Sequence, residues 1–427
     1  MFSRDSLKTF SDAKKDVIYE MVKREDANWR KLNLEVASGV YKAPQIKDSE
    51  NKAFVADDSV KERRGKKMEG VSKHFDHLTG RRCMGQQVLT LGLATGQAFL
   101  PIDSQIYISS VNAQGLKKPF KDGRSVVANR YREAQTSKPQ ILRSMIKRAL
   151  NQGISASYLL GDAWFGTKTT IKTALDNSLT PVLRMKKNET KYRYTGSEEE
   201  TSMLKVAEIY KKVVRGKWEK IAGLDYYGKI VDVELNLATD KKEKADWVNI
   251  RLLFVRGQCE GDKPQVGKKD WAVFLTSDIT MEAVKILEVY AMRWGIEVYF
   301  KEAKQHLGFL KEQTETFASH IASIHLTAIR YLMLVQAKLE YAESRVCDVR
   351  NYLNKQLETV DFAKRLWGLF QTIISGALEG VREQIGSAVD IAMSAIEESI
   401  QGFFIQALQL DTFTMKLEAK DCGELDD

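Results

Sequence analysis

Short apolar runs alternate with segments of helical period between residues 51 and 188. The runs AFVAD, SYLLGD and TPVLR have the length and composition of buried strands. The segments KPQILRSMIKRALNQG and KTTIKTALDNS, which precede and follow SYLLGD, carry apolar residues at helical intervals. Strand, helix, strand, helix, strand is the order of an α/β fold, so we expect a mixed sheet flanked by helices.

The character of the sequence changes along the chain and divides it into five segments. Runs such as DYYGKIVDVELNLATD and WVNIRLLFVRG indicate a β-rich insertion within the α/β core, and helical patterns dominate near both ends. The predicted segments are a helical N-terminal region at 1–50, the first part of the core at 51–188, the insertion at 189–277, the second part of the core at 278–340 and a helical C-terminal region at 341–427.

Two of the predicted strands end in acidic residues. Asp57 or Asp58 closes the first run, and Asp162 closes SYLLGD. We favour Asp57 because adjacent strand residues point to opposite faces and Ala53 and Val55 would share its face. Ligands of open α/β sheets gather beyond the carboxyl ends of strands, although an aspartate there can equally begin a turn or cap a helix.

A third acid lies on a predicted helix at residues 290–304, YAMRWGIEVYFKEAK. On a helical wheel Tyr290, Arg293, Glu297 and Lys304 share a stripe roughly 60° wide beside an apolar face. An ion pair between Arg293 and Glu297, four residues apart, is the plain structural explanation for two of them. It leaves Tyr290 and Lys304 without an explanation.

The three acids predict a metal site if they converge in the fold. Two carboxylates about 4 Å apart repel each other by roughly 4 kcal/mol at an effective dielectric near 20, so a cation would have to neutralise them. Oxygen ligands without cysteine or histidine favour Mg²⁺ or Mn²⁺ over zinc. Two such ions stabilise the attacking and the leaving oxygen in phosphoryl transfer.

The bulk composition is compatible with this chemistry and excludes other classes. A net charge of +9 favours a polyanionic partner, nucleic acid or a membrane surface. The four cysteines, Cys83, Cys259, Cys347 and Cys422, form no CxxC pair, which is typical of a reduced cytoplasmic protein without structural zinc. No apolar run approaches the roughly 20 residues of a membrane span, so we expect no membrane association.

The residues at 290–304 carry a resemblance to a known family. Tyr290, two residues, Arg293, three residues, Glu297, six residues and Lys304 reproduce the Y-(2)-R-(3)-E-(6)-K signature of the DDE transposases of the insertion-sequence-four family. The segments VADDSVKERRGKKMEGVSKHFDHLTGR and YLLGDAWFG resemble the blocks that contain the first and second aspartates of that family. The resemblance covers residues 28–340.

The resemblance implies a fold, a reaction and roles for individual residues. It implies an RNase H-like catalytic core interrupted by a β-strand insertion, with Asp57, Asp162 and Glu297 as the metal-binding triad. The cofactor would be Mg²⁺, for which Mn²⁺ can substitute. The reaction would cut the ends of the element and join them to target DNA. A homodimer on double-stranded DNA, in the bacterial cytoplasm and at the nucleoid, is the implied assembly.

Several residues are predicted to contact DNA. The resemblance implies phosphate contacts for Tyr290, Arg293 and Lys304. Trp294 either stacks on terminal DNA or is a core tryptophan. The basic run KERRGKK either is a solvated surface or contacts the DNA backbone. Its candidate contacts are Arg63, Arg64, Lys66 and Lys67.

Some alternatives stay open from the sequence. Residues 1–50 would contribute to DNA binding, and residues 341–427 would dimerise the protein or pack on the core. A metal-dependent nuclease that cuts without joining is one alternative function. A catalytically inactive DNA-binding remnant that acts as a repressor is another.

Overall fold

A twelve-stranded mixed sheet runs through the computed structural model of the chain. The structure describes residues 15–355 except 66, 77–79, 111–112, 197–199, 240–242, 258–270 and 342–344, together with residue 395. Cys259, Cys422 and Lys66, and most of the predicted C-terminal region, lie outside the described residues. The strands are β1 (Ala53–Glu62), β2 (Ser72–Asp76), β3 (Arg81–Ala94), β4 (Phe99–Tyr107), β5 (Tyr158–Gly161), β6 (Thr180–Arg184), β7 (Lys191–Thr195), β8 (Thr201–Lys205), β9 (Glu219–Lys220), β10 (Tyr226–Asn236), β11 (Trp247–Gly257) and β12 (Trp271–Thr276).

Helices flank this sheet. The described helices are α1 (Lys15–Lys23), α2 (Trp29–Tyr41), α3 (Pro44–Lys47), α4 (Val126–Ala134), α5 (Lys138–Asn151), α6 (Lys168–Leu175), α7 (Val206–Ile209), a π-helical turn (Tyr210–Val214), α8 (Ala283–Ala291), α9 (Trp294–Gln305) and α10 (Phe317–Glu340). Residues 22–339 form one compact unit. In the second unit residues 346–355 are helical, and the rings of Tyr341 and Tyr352 meet edge to face with their centroids 5.8 Å apart.

The centre of the sheet has the topology of an RNase H-like fold. β3 pairs antiparallel with β1 and with β4, whereas β1, β5 and β6 are parallel neighbours in that order. Ala53, Phe54, Val55 and Ala56 at the start of β1 are fully buried, as expected for a central strand covered on both faces. The predicted α/β fold class is therefore confirmed.

The strands of the predicted insertion continue the same sheet. β12 pairs antiparallel with β6, and β11, β10, β7 and β8 follow outward. Their apolar side chains form one core cluster, in which the rings of Tyr210 and Trp271 stack with their centroids 4.4 Å apart. The β-rich character of this segment thus extends the central sheet.

The single helix predicted at residues 290–304 is wrong, because the structure has two helices there. α8 ends at Ala291 and α9 begins at Trp294. Arg293 N–H donates to the carbonyl of Tyr290 at 3.0 Å, and Gly295 N–H donates to that of Met292 at 3.1 Å. Bonds to the third preceding residue tighten the backbone and turn the chain between the helices.

One described helix, α10, is long and apolar enough to cross a membrane by length and composition, although the sequence predicted no such segment. Of its most apolar window 67% is buried inside the protein. His320 and His325 on this helix are fully buried as well. These features are those of a core helix in a globular protein.

Candidate active site

Asp57 and Asp162 come directly after the parallel ladder between β1 and β5. Asp162 follows the end of β5, whereas β1 continues past Asp57 to Glu62 in its pairing with β3, so the prediction that Asp57 closes its strand is wrong. The parallel ladder between β1 and β5 ends with the pair Ala56 and Gly161, and the two aspartates follow directly. This edge is where open α/β sheets bind ligands. The fold thus brings together two acids that are 105 positions apart in the sequence.

Each of these aspartates accepts a backbone hydrogen bond close to its own position. Asp58 N–H donates to Asp57 Oδ1 at 2.8 Å, and Trp164 N–H donates to Asp162 Oδ1 at 2.8 Å. The second bond is the turn that the sequence left open as an alternative for Asp162. The turn directs this carboxylate and is compatible with its free oxygen binding a ligand.

Burial, and to a lesser extent the nearby charge of Asp162, raises the pKa of Asp57 to about 7. The guanidinium of Arg293 opposes both effects. Burial together with a neighbouring carboxylate, only partly offset by Arg293, produces this perturbation, which is common at functional sites.

Arg293 joins the first acid to the third. Its two terminal nitrogens donate to Asp57 Oδ2 at 2.9 Å and to Glu297 Oε1 at 3.0 Å. Glu297 is in the first turn of α9, and its side chain is 41% exposed. The intrahelical pair expected from the sequence is present, and the same guanidinium also reaches across to β1.

The donor chemistry of this site fits a divalent cation, although the acids are not drawn into one ligand set. Within the part of the chain that the structure describes, no three His, Cys, Asp or Glu side chains form a group that could hold a metal ion. The guanidinium of Arg293 supplies the positive charge between Asp57 and Glu297, the charge that a metal ion would supply there. Three carboxylates without thiolate or imidazole suit Mg²⁺ or Mn²⁺.

Asp58, the alternative to Asp57, is committed to other partners. Its Oδ2 accepts from Lys138 Nζ at 2.7 Å, and its Oδ1 accepts from Gln87 Nε2 at 2.5 Å. Both carboxylate oxygens are therefore occupied away from Arg293. This geometry favours Asp57 as the acid that faces the site.

The other residues of the predicted signature lie around this site. The ring of Tyr290 packs edge to face on Phe274 with 4.6 Å between centroids, and its burial raises its pKa. Lys304 Nζ donates to the carbonyl of Val60 on β1 at 3.3 Å. Trp294 is 68% exposed, so the interpretation as a core tryptophan is wrong.

The basic run after Asp57 divides into inward and outward side chains. The guanidinium of Arg63 is buried, donates to Gln86 Oε1 at 2.9 Å and forms an ion pair with Glu312. Arg64 and Lys67 are exposed. A phosphate contact by Arg63 would require this ion pair to break, whereas the other two side chains are available as they stand.

Neither Lys138 nor Trp164 was predicted from the sequence to lie beside the two aspartates, although Lys138 contacts both Asp58 and the ring of Trp164. Lys138 is the first residue of α5, where the helix dipole disfavours a cation. That unfavourable placement was the available signal, because it implies a compensating partner. The partner, Asp58, lies 80 positions earlier, beyond the reach of pattern reasoning.

An RNase H-like sheet with acidic side chains on or directly after adjacent central strands is typical of a class of enzymes that cut or transfer nucleic-acid strands. Comparison with family models agrees with this class. Residues 6–202 match a DDE superfamily endonuclease model, and residues 122–333 match a transposase DDE domain model. The first match contains Asp57 and Asp162, and the second contains Asp162 and Glu297. Together the two matches support a DDE transposase that acts on DNA; no curated protein matches the chain.

Proposed function

We propose that the protein is a transposase of the insertion-sequence-four family that cuts the ends of its element and joins them to target DNA. The observation that carries the proposal is that Asp57 and Asp162 both follow directly on the parallel ladder between β1 and β5, with Glu297 joined to Asp57 through Arg293. The spacing of Tyr290, Arg293, Glu297 and Lys304 supports this particular family.

The proposed reaction consists of two phosphoryl transfers at one site. In the first, a water oxygen bonds to the phosphorus at the element end while the bond to the 3′-oxygen breaks, and that oxygen takes up a proton. In the second, the resulting 3′-hydroxyl oxygen bonds to a target phosphorus, and the target's own 3′-oxygen leaves and takes up a proton. The first transfer is the hydrolysis of a phosphodiester, and in the second one phosphodiester replaces another. Neither transfer therefore needs an external energy source.

Asp57, Asp162 and Glu297 would hold the divalent ions, Mg²⁺ with Mn²⁺ as a substitute. When bound, two such ions supply Lewis-acid stabilisation to the attacking and leaving oxygens. The raised pKa of Asp57 supports this role, because a cation relieves the repulsion from Asp162 that contributes to it. Arg293 would leave the carboxylates and bind a DNA phosphate, for which a guanidinium is well suited.

The surface around the site supports DNA as the ligand. The exposed indole of Trp294 offers a face for stacking on a terminal base. Arg64 and Lys67 are exposed after β1, and the net charge of +9 favours a polyanion. Joining two element ends in one event requires two such sites, so we propose a homodimer in the complex with DNA.

A strand-transfer assay with a precut end tests the proposal. The DNA end is a precut fragment of the DNA that flanks the gene, the target is a supercoiled plasmid, and Mg²⁺ or Mn²⁺ is added. We expect joined products with the wild-type protein and none with Asp162→Asn. The exposed Asp225→Asn variant is the matched control and should join normally.

The same assay, repeated with an uncut end, distinguishes the transposase from a second candidate function, a nuclease that cuts without joining. That alternative is favoured by the endonuclease description of the family model that matches residues 6–202. Cleavage of an uncut end without any joined product would support the nuclease. If the wild-type protein neither cleaves nor joins DNA, both functions are contradicted.

A further inference from the structure

Lys138 lies in an environment that a lysine rarely occupies. Its side chain is 8% exposed at the start of α5, where both burial and the helix dipole disfavour a positive charge. Three groups compensate for this cost. The ammonium nitrogen is 2.7 Å from Asp58 Oδ2, 4.4 Å from the ring centroid of Trp164 and 5.1 Å from that of Tyr107.

Two of these partners flank the candidate metal ligands. Asp58 follows Asp57 on β1, and Trp164 lies two residues after Asp162 in the turn that follows β5. Lys138 therefore links β1 to the turn after β5, and its partner Asp58 points to the face of β1 opposite Asp57, the acid that Arg293 contacts. Gln87 Nε2 fixes the remaining oxygen of Asp58, so this carboxylate has a single orientation.

The link extends to the carboxylates through the backbone. Asp58 N–H donates to Asp57 Oδ1, and Trp164 N–H donates to Asp162 Oδ1, each at 2.8 Å. Thus each candidate ligand accepts a hydrogen bond from a residue whose side chain contacts Lys138. A shift of Lys138 would move both donors together.

We propose that Lys138 is a positioning residue that orients Asp57 and Asp162 for metal binding by holding Asp58 and Trp164 from behind the site. It touches neither the DNA nor the metal. The inference rests on the proposed function, since it assigns a purpose to the geometry of the two acids. Partners that orient metal ligands commonly change metal affinity by 10–100-fold when they are replaced.

The test measures Mn²⁺ binding by calorimetry on metal-free protein. Lys138→Met keeps the aliphatic stem and removes the charge, and we expect its Mn²⁺ affinity to fall about tenfold. Lys138→Arg keeps a cation beside Asp58 and the two rings and should recover part of the loss. Lys147→Met, an exposed lysine on the same helix, is the matched control and should bind as the wild type does.

The affinity of the folded protein separates positioning from a merely structural role, because lost stability alone lowers the melting temperature and leaves that affinity unchanged. Wild-type Mn²⁺ affinity in folded Lys138→Met would overturn the inference. If that variant does not fold, Trp164→Leu replaces it, and an unchanged affinity there would overturn the inference equally. Absence of Mn²⁺ binding by the wild-type protein would instead contradict the proposed function, and the inference with it.

Discussion

Arg293 explains how Asp57 and Glu297 can face the same space in the metal-free protein. Its guanidinium donates one hydrogen bond to each carboxylate, so both acids are paired. Within the described residues Asp162 forms no ion pair, and its charge is one cause of the raised pKa of Asp57. The uncompensated charge at this edge of the sheet is therefore negative, as a cation site requires.

Trp294 allows a clean separation of binding from stability. Because its indole is 68% exposed, Trp294→Ala should change the free energy of unfolding by less than about 0.5 kcal/mol. We expect the same variant to weaken binding of a terminal DNA end by about 1–3 kcal/mol, the usual value of one stacked base. Fluorescence anisotropy and urea unfolding measure the two effects. Val298→Ala, exposed one turn later, is the control; equal DNA affinity in both variants would contradict the stacking role.

His74 gives a pH dependence of known sign. Burial, and then the positive charge of Lys138, lowers its pKa from 6.5 to about 4. The unfolded chain binds the proton first, so this contribution to stability is complete above pH 6.5 and is lost as the pH falls through 4. The loss amounts to at most about 3 kcal/mol.

Urea unfolding at several pH values from 7 to 4 measures this effect. His74→Gln should lose less stability over that range than the wild-type protein does. The exposed His306→Gln variant, in contrast, should follow the wild-type curve. Parallel curves for wild type and His74→Gln would show that this histidine does not carry the pH dependence.

Local sequence patterns identified some residues of the site but could not tell which basic side chains are buried. The acids at 57, 162 and 297 could be selected because strand ends and helix stripes are local patterns. The difference between Arg63 and Arg64 could not, because the partner of Arg63 is Glu312, 249 positions away. A run of basic residues contains no local signal that tells which side chain turns inward.

At the scale of elements, β3 and β4 depend on a close approach at Gly92. A Cβ atom there would lie 2.1 Å from Phe99 Cζ and 2.9 Å from the carbonyl oxygen of Leu100. The pairing of the two strands also shifts register between Leu91 and Gly92. The strand pair therefore requires a residue without a side chain at this position.

We expect Gly92→Ala to lower the free energy of unfolding by about 1–3 kcal/mol, the usual cost of overpacking. Chemical denaturation followed by circular dichroism measures the change. Gly96→Ala, in the turn between the same strands, is the matched control because no atom lies within 4 Å of its added Cβ. Equal stability of the two variants would contradict the steric argument.

Strands and helices with regular periodicity were predictable, and their interruptions were not. β5, α5 and α6 follow the patterns seen in the sequence, because each buries one local set of apolar side chains. β1 begins as predicted but continues to Glu62, because its second half pairs with β3 and needs no further apolar run. The turn at Met292–Arg293 interrupts a segment whose helical period continues without a proline. Gly295, just beyond the turn, lies against Phe99 of β4, which would be 3.1 Å from a Cβ there, and this contact between distant segments has no signal in the local pattern.

At the scale of the whole molecule, a buried ion network connects helices α2, α4 and α5 with strand β4. Asp103 is fully buried and accepts from Arg30 Nε at 3.0 Å and from Arg148 Nε at 2.8 Å. Glu133 on α4 binds the same two arginines at 2.7 and 3.1 Å. Burial opposes ionisation of Asp103, but the arginines outweigh it and lower its pKa to about 2.

Asp103→Asn should lower the free energy of unfolding by about 3–5 kcal/mol, because it leaves the guanidiniums of Arg30 and Arg148 with Glu133 as the one remaining carboxylate between them among the described residues. Urea unfolding at pH 7 measures this loss. The same substitution in an exposed pair, Asp176→Asn opposite Arg143, should cost less than about 1 kcal/mol. A loss of similar size in both variants would show that the network does not unite these elements.

The adjacency of β6 and β12 bears on which strands of the sheet can be shortened. After Arg184 the polypeptide forms the outer strands of the sheet and then β12, whose Phe274 pairs with Arg184. The two ends of the intervening segment, at β6 and β12, are therefore neighbours in the sheet. We therefore expect that shortening the outermost strands, β7 and β8, would leave the pairing of β6 with β12 in place.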